Sequence, residues 1–157
     1  MPTSVTSAAS SWDFDVVISC DNAIPHLLDE GDVHKALAQM RTRLRPGGLL
    51  IATMRDFDDA LLERAPLAPP IIVAGSPRRV LIRIHDWDAD RPCYTVRYLV
   101  LTERGDGWTI TEHATRYRAI TRDELTRAAH VAGFSDISFP NERTVVGGQQ
   151  VMTATSA

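Results

Sequence analysis

The sequence predicts an open α/β sheet whose order is interrupted by an antiparallel insertion. Two apolar runs, each ending in a polar loop, predict the parallel part. Val16-Val17-Ile18 runs into Ser19-Cys20-Asp21-Asn22, and Leu49 to Thr53 runs into Met54-Arg55-Asp56-Phe57. Three period-two stretches between residues 80 and 119 predict the insertion. Continuous β-branched runs suit strands covered on both faces, whereas alternation suits strands with one wet face. Parallel strands that deliver polar loops to one edge place a ligand site there.

The chain has 157 residues, enough for one domain with a real core. Residues 1–11 are small and polar and predict a disordered tail, leaving one domain over 12–157 with the insertion at about 77–119. Asp15 to Cys20 predicts the first strand, buried on both faces. Pro25 bars a regular helix through the loop that follows. Asp32 is placed to cap the next helix. Val33, Ala36, Leu37, Met40 and Leu44 recur along it at helical spacing. Pro46-Gly47-Gly48 ends that helix, and the second strand follows, completing a right-handed crossover.

Residues 57–65 predict a short helix, and Pro66, Pro69, Pro70, Gly75 and Pro77 predict an irregular stretch after it. In the insertion, Val80, Ile82 and Ile84 alternate with Arg83 and His85. Tyr94, Val96, Tyr98 and Val100 share a face. Trp108 to Ala119 follows the turn Arg104-Gly105-Asp106-Gly107. Thr121 and Glu124 form a capping box, with Ile120 and Leu125 as the staple of the last helix, which Gly133 stops. Ser135 to Phe139 is a strand and Pro140 to Thr144 a connection. Val145 to Thr155, broken by Gly147 and Gly148, returns as the closing strand.

A net charge of -3 with dispersed basic residues gives no footprint for nucleic acid or an anionic membrane. No apolar run approaches the roughly 20 residues of a membrane helix, and the N-terminus lacks the features of a signal peptide. Cys20 and Cys93 form no CxxC or Cys/His ligand spacing, so no metal site is expected, and a reducing, cytoplasmic setting fits them.

DVVISCDNAIPHL followed by LRPGGLLIATMRD resembles the class I S-adenosylmethionine-dependent methyltransferases. The Leu-Arg-Pro-Gly-Gly turn before an apolar strand carries part of the likeness, as does Ala-Gly-Phe at 132–134. Asp21 to Leu27 looks like the Gly-Asn-Ser-x-x-His-Leu loop of the glycine/sarcosine N-methyltransferase branch. Met54 to Asp58 looks like its His-Arg-Asn-Tyr-Asp loop, with Met54, Asp56 and Phe57 replacing His, Asn and Tyr. The resemblance implies a Rossmann-like class I methyltransferase sheet. It also implies S-adenosylmethionine as cofactor and methyl transfer to a small-molecule amine or amino acid such as glycine or sarcosine. That superfamily uses a glycine-rich loop after its first strand and an acidic residue after its second. Neither is found here, because the first glycine is Gly31. The expectation is therefore the C-terminal half of such a sheet, truncated at its N-terminus.

By resemblance, Asn22 and Arg55 bind substrate, Arg55 gripping its carboxylate, while Cys20, Asp21 and His26 flank the donor. No catalytic residue is assigned, since methyl transfer to a neutral amine needs positioning more than a base. Blander readings stand beside these. Asn22 is a turn residue, Arg55 forms a surface pair with Asp56 or Asp58, and His26 is half-buried packing. Cys20 has no neighbouring base to make it a nucleophile. Tyr94, Tyr98, Trp108 and Tyr117 line a lid or pack the sheet face, and His85 and His113 are surface cross-strand residues. The alternatives in function are a non-catalytic fragment and an amino-acid-binding module without chemistry. The fragment would be covered by a homo-oligomer or a complementing N-terminal half. A dinucleotide-dependent dehydrogenase ranks behind both, because its glycine fingerprint is missing too.

Overall fold

The computed structural model describes residues 14–140 and 149–157. The tail expected at 1–11, and the connection and glycines expected between 141 and 148, lie outside these residues. Two four-stranded sheets make the frame. The first contains β1 (Phe14–Ser19), β2 (Leu44–Arg55), β7 (Phe134–Ser138) and β8 (Gln149–Ser156), in the order β1-β2-β8-β7. β1 and β2 are parallel, joined through a 3-10 turn (Ile24–His26) and α1 (Glu30–Arg43). β8 runs antiparallel to both its neighbours. The second sheet is the meander β3 (Leu67–Val73), β4 (Arg79–Trp87), β5 (Cys93–Arg104) and β6 (Gly107–Arg118). α2 (Asp58–Glu63) leads into it and α3 (Arg122–Val131) leads out.

α1 packs on β1, β2 and α3, and α3 packs on β7, so both helices cover the same face of the first sheet. Val33 and Leu37 meet Leu50, Ala52 and Met54 of β2, Met152 and Ala154 of β8, and Leu125, Ala128 and Ala129 of α3. The period of two along β2 and β8 puts these residues on one face. A second core, Phe57, Tyr94, Val96 and Ala119, joins α2 to the meander. Among the described residues no helix is long and apolar enough to cross a membrane.

Four expectations are corrected. β1 is not buried on both faces: Phe14, Val16 and Ile18 are 51%, 42% and 62% exposed. It pairs with β2 alone among the described strands, and the helices cover only the face that Val17 shares with Leu50. The helix after the first loop starts earlier than Asp32. Asp29 is its N-cap residue, without a side-chain cap bond, while Asp32 pairs with Lys35 at 2.9 Å. That helix also ends before the glycines, at an extended Leu44. Gly47, with φ of 72°, lies within β2 where its pairing with β1 slips in register. A Cβ on Gly48 would stand 2.9 Å from the Arg45 carbonyl and 3.2 Å from that of Asp15. Finally, the proline-rich stretch is largely strand β3. Pro69 and Pro70 fall where its pairing with β4 slips, between Ala68 and Ile71. An edge strand with a register shift tolerates the missing amide hydrogens.

The start of α3 is as expected at Thr121, whose hydroxyl accepts from the Glu124 amide at 3.2 Å. The Glu124 carboxylate reaches Arg118 at 2.6 Å rather than the Thr121 amide. Thr121→Ala is expected to lower stability by about 1 kcal/mol, read as a shifted denaturant midpoint with an unchanged slope.

Candidate functional site

The loop after β1 and the end of β2 are laced together by one short segment. Asp21 and Asn22 sit in the left-handed region, at φ of 56° and 66°, which their short polar side chains tolerate better than most. The Asp21 amide donates to the Thr53 hydroxyl (2.9 Å) and the Asn22 amide to the Thr53 carbonyl (3.1 Å). The Asn22 side-chain oxygen accepts from the Arg55 amide (2.8 Å). With that oxygen engaged, the Asn22 amide nitrogen is the group it has left to offer, and it is a donor. The Asp21 carboxylate accepts from Gln149 Nε2 of β8 at 2.7 Å through one of its two oxygens.

A cavity of about 540 Å³ opens at this edge. Asp21, Asn22, Arg55 and Gln149 line it from the first sheet. Ala68, Pro69, Arg83, Tyr98 and Tyr117 line it from the meander. Alternation explains Arg55: Met54 points into the helical core, so its neighbour projects from the other face. Arg55 forms no pair with Asp56 or Asp58. Asp56 bonds Arg122 at 2.5 Å, and Asp58 accepts from the Arg122 amide at 3.2 Å. Among the described residues Arg55 has no acidic partner. Its guanidinium carbon lies 6.0 Å from the Phe57 ring centroid.

Of the sequence-derived candidates, Asp21, Asn22 and Arg55 meet at the cavity. Cys20 and His26 are exposed beside it on the same loop and do not line it. His26 is not half-buried; its ring lies 4.4 Å from that of Tyr117, against the insertion. The four aromatics divide. Tyr94 is core, Tyr98 and Tyr117 line the cavity, and Trp108 is exposed under Arg78. Burial, and then the neighbouring Tyr98 phenol, push the Tyr117 phenol up to about 12, so it keeps its proton.

Arg83 was not singled out from the sequence, and His85 is not a surface residue. The face of β4 assumed to be wet turns inward. Arg83 and His85 register with Tyr98 and Val96 of β5, and His85 is only 5% exposed. A sequence signal was present in the polar residues and tyrosines recurring at period two next to the polar loops. His85 donates from Nδ1 to the Ala65 carbonyl (3.1 Å) and meets Tyr94 edge-on. Its pKa is lowered, chiefly by burial, with the charges of Arg55 and Arg83 adding to this and the Ala65 contact opposing it. The folded imidazole thus stays neutral where the unfolded one, at about 6.5, takes a proton. Stability should therefore fall as pH drops through that value. Denaturation at pH 7.5 and 5.5 checks this, with a smaller loss expected for His85→Gln.

No protein-family model matches the sequence, and no curated protein matches it. Solved structures do match in fold. An S-adenosylmethionine-bound amino pentose methyltransferase of Micromonospora echinaspora, involved in calicheamicin biosynthesis, superposes with a TM-score of 0.79 at 18% identity. The match covers 92% of this chain and 59% of that one. The CcbJ methyltransferase of Streptomyces caelestis gives 0.69 at 20% identity, covering 92% and 61%. A sugar N-methyltransferase from Streptoalloteichus gives 0.66 at 16%, covering 91% and 56%. The fold is thus a mixed α/β arrangement shared with these methyltransferases, and the chain spans about three fifths of their length.

Proposed function

We propose that this chain takes part in S-adenosylmethionine-dependent methyl transfer to a small-molecule amine or amino acid, of which glycine and sarcosine are the simplest. In this reading its first sheet is the C-terminal half of a Rossmann-like sheet. The observation that carries the proposal is the convergence of Asp21, Asn22 and Arg55 on one cavity at the carboxyl ends of parallel strands. Arg55, free of acidic partners among the described residues, holds a substrate carboxylate through its planar fork. The Asn22 amide nitrogen donates to the same end, and the second Asp21 oxygen accepts from the amine. S-adenosylmethionine, when bound, supplies an electrophilic methyl group. The residues present fit the methyl-bearing end of the donor. Cys20, Asp21 and His26 stand exposed after β1, next to a strand whose outer edge is open among the described residues. The chain's own work is to orient the amine and carboxylate, and no general base is assigned. A reducing, cytoplasmic setting goes with two unpaired thiols, exposed Cys20 and buried Cys93.

Calorimetric titration with S-adenosylmethionine and S-adenosylhomocysteine tests this. Saturable binding of both is expected, and a folded chain that binds neither would overturn methyl transfer by the chain alone. A second reading, a fragment that acts through a partner, is favoured by the exposed Phe14, Val16 and Ile18 on β1. A second copy or a complementing N-terminal half would cover them, and a monomer by light scattering at micromolar concentration would count against both.

A further inference from the structure

We infer that Arg83 is a second anion-binding residue of the cavity, so that the substrate amine carries two negative charges rather than the single carboxylate of a glycine-like compound. The inference rests on the proposed function for the site's role and goes further in naming the substrate's charge. Arg83 comes from β4 of the meander and Arg55 from the end of β2, and both line the same space. Arg97, Arg116 and Arg118 of the meander each have a carboxylate partner. Arg83 has none among the described residues, and its Nε is buried without a hydrogen-bond partner. Such a group is costly to leave unpaired, and a site shaped around it gains most from a ligand that satisfies it.

Charge balance leads to the same place. The cavity brings two guanidinium groups together with one carboxylate, Asp21. A glycine-like zwitterion adds one charge of each sign and leaves the excess positive charge in place. On binding, an ammonium group with two negative charges cancels it, the ammonium at Asp21 and the anionic end between the two forks, and the ammonium releases its proton to solvent before the nitrogen accepts a methyl group. One fork suffices for one carboxylate. The phenol of Tyr117 and the Asn22 amide add uncharged donors around the same space. A volume of about 540 Å³ also exceeds what glycine needs, and it falls within the range of sites that hold larger small molecules. The second charge comes either from another carboxylate or from a phosphoryl group, whose chemistry toward two arginines is the same.

The test is calorimetry on the full chain at pH 7.5 and fixed ionic strength, with acetate, succinate and phenyl phosphate as probes. One dianion or both should bind about tenfold more tightly than acetate, and the better one identifies the second group as carboxylate or phosphoryl. In Arg83→Gln the preference should shrink to within about twofold, with acetate affinity nearly unchanged. Arg83→Lys, which keeps the charge but not the fork, should retain part of it. Equal binding of all three probes by the natural chain would overturn the inference, as would no binding at all. A preference that survives in folded Arg83→Gln would overturn it too. None of these probes is the methyl donor, so the outcomes separate. Donor binding without dianion preference removes only this inference, and dianion preference without donor binding removes only the methyl-transfer reading.

Discussion

Tyr94→Ala is expected to lower the unfolding free energy by about 3–5 kcal/mol, the range for deleting a buried aromatic side chain. Tyr94 is 1% exposed and lies at the centre of the second core. Its ring stacks on Trp87 with centroids 4.4 Å apart and meets Phe57 edge-on at 6.0 Å. His85 lies 5.5 Å away and Tyr117 5.7 Å. Removing the ring leaves a void bordered by α2, β4 and β6, and rigid aromatic neighbours cannot collapse to fill it. Tyr94→Phe keeps the ring and loses only the hydroxyl near Arg55. With the packed ring kept, it is expected to cost no more than about 0.5 kcal/mol. Guanidinium denaturation of the three proteins decides. A loss below about 1 kcal/mol for the alanine variant would mean that the meander is held to α2 by something other than this ring cluster.

Arg55→Ala should do the opposite, with a large effect on binding and a small one on the fold. Losing a charge-assisted contact is worth about 1.5–3 kcal/mol, so affinity for sarcosine or another amino carboxylate should fall roughly 10- to 100-fold. Stability should change by no more than about 0.5 kcal/mol. The acidic neighbours explain the second figure, since Asp56 and Asp58 are satisfied by Arg122 and neither loses a partner. Calorimetry and denaturation on the same preparation check both halves. Unchanged affinity would remove Arg55 from the site, and a loss of stability matching the loss of affinity would make it a structural residue.

Much of the fold was legible in the sequence because its signals are local. The polar loops after two apolar runs placed Asp21, Asn22 and Arg55 on one edge, and the structure gathers them around one cavity. Thr121 marked its helix start because a cap is a contact three residues long. Distant contacts decided what was missed. The run Val16-Val17-Ile18 spells a strand but not how many neighbours that strand has, and among the described residues β1 is a sheet edge. Asp29 takes the cap position from Asp32, and both are equally good capping residues. Pro69-Pro70 reads as a break unless it is known to lie on an outer strand at a slip of register. The inward face of β4 was misassigned because alternation gives two faces without saying which one meets the site. There, polar residues turn inward because one face of the meander covers both the polar cavity, at Arg83 and Tyr98, and the second core, at Tyr94 and Val96.

The position of β8 gives the first sheet pairings of much longer sequence separation than those of the meander. The meander is built from strands adjacent in sequence, so it needs only short loops to close and can assemble early. The first sheet has no such route. β8 lies between β2 and β7, and Leu49 pairs with Thr155 across about a hundred intervening residues. Until synthesis reaches residue 156, β2 lacks its antiparallel neighbour and the helical core lacks Met152 and Ala154. Pairings of such long sequence separation are expected to form later than those of the meander, so β8 is expected to enter between β2 and β7 after the meander is in place.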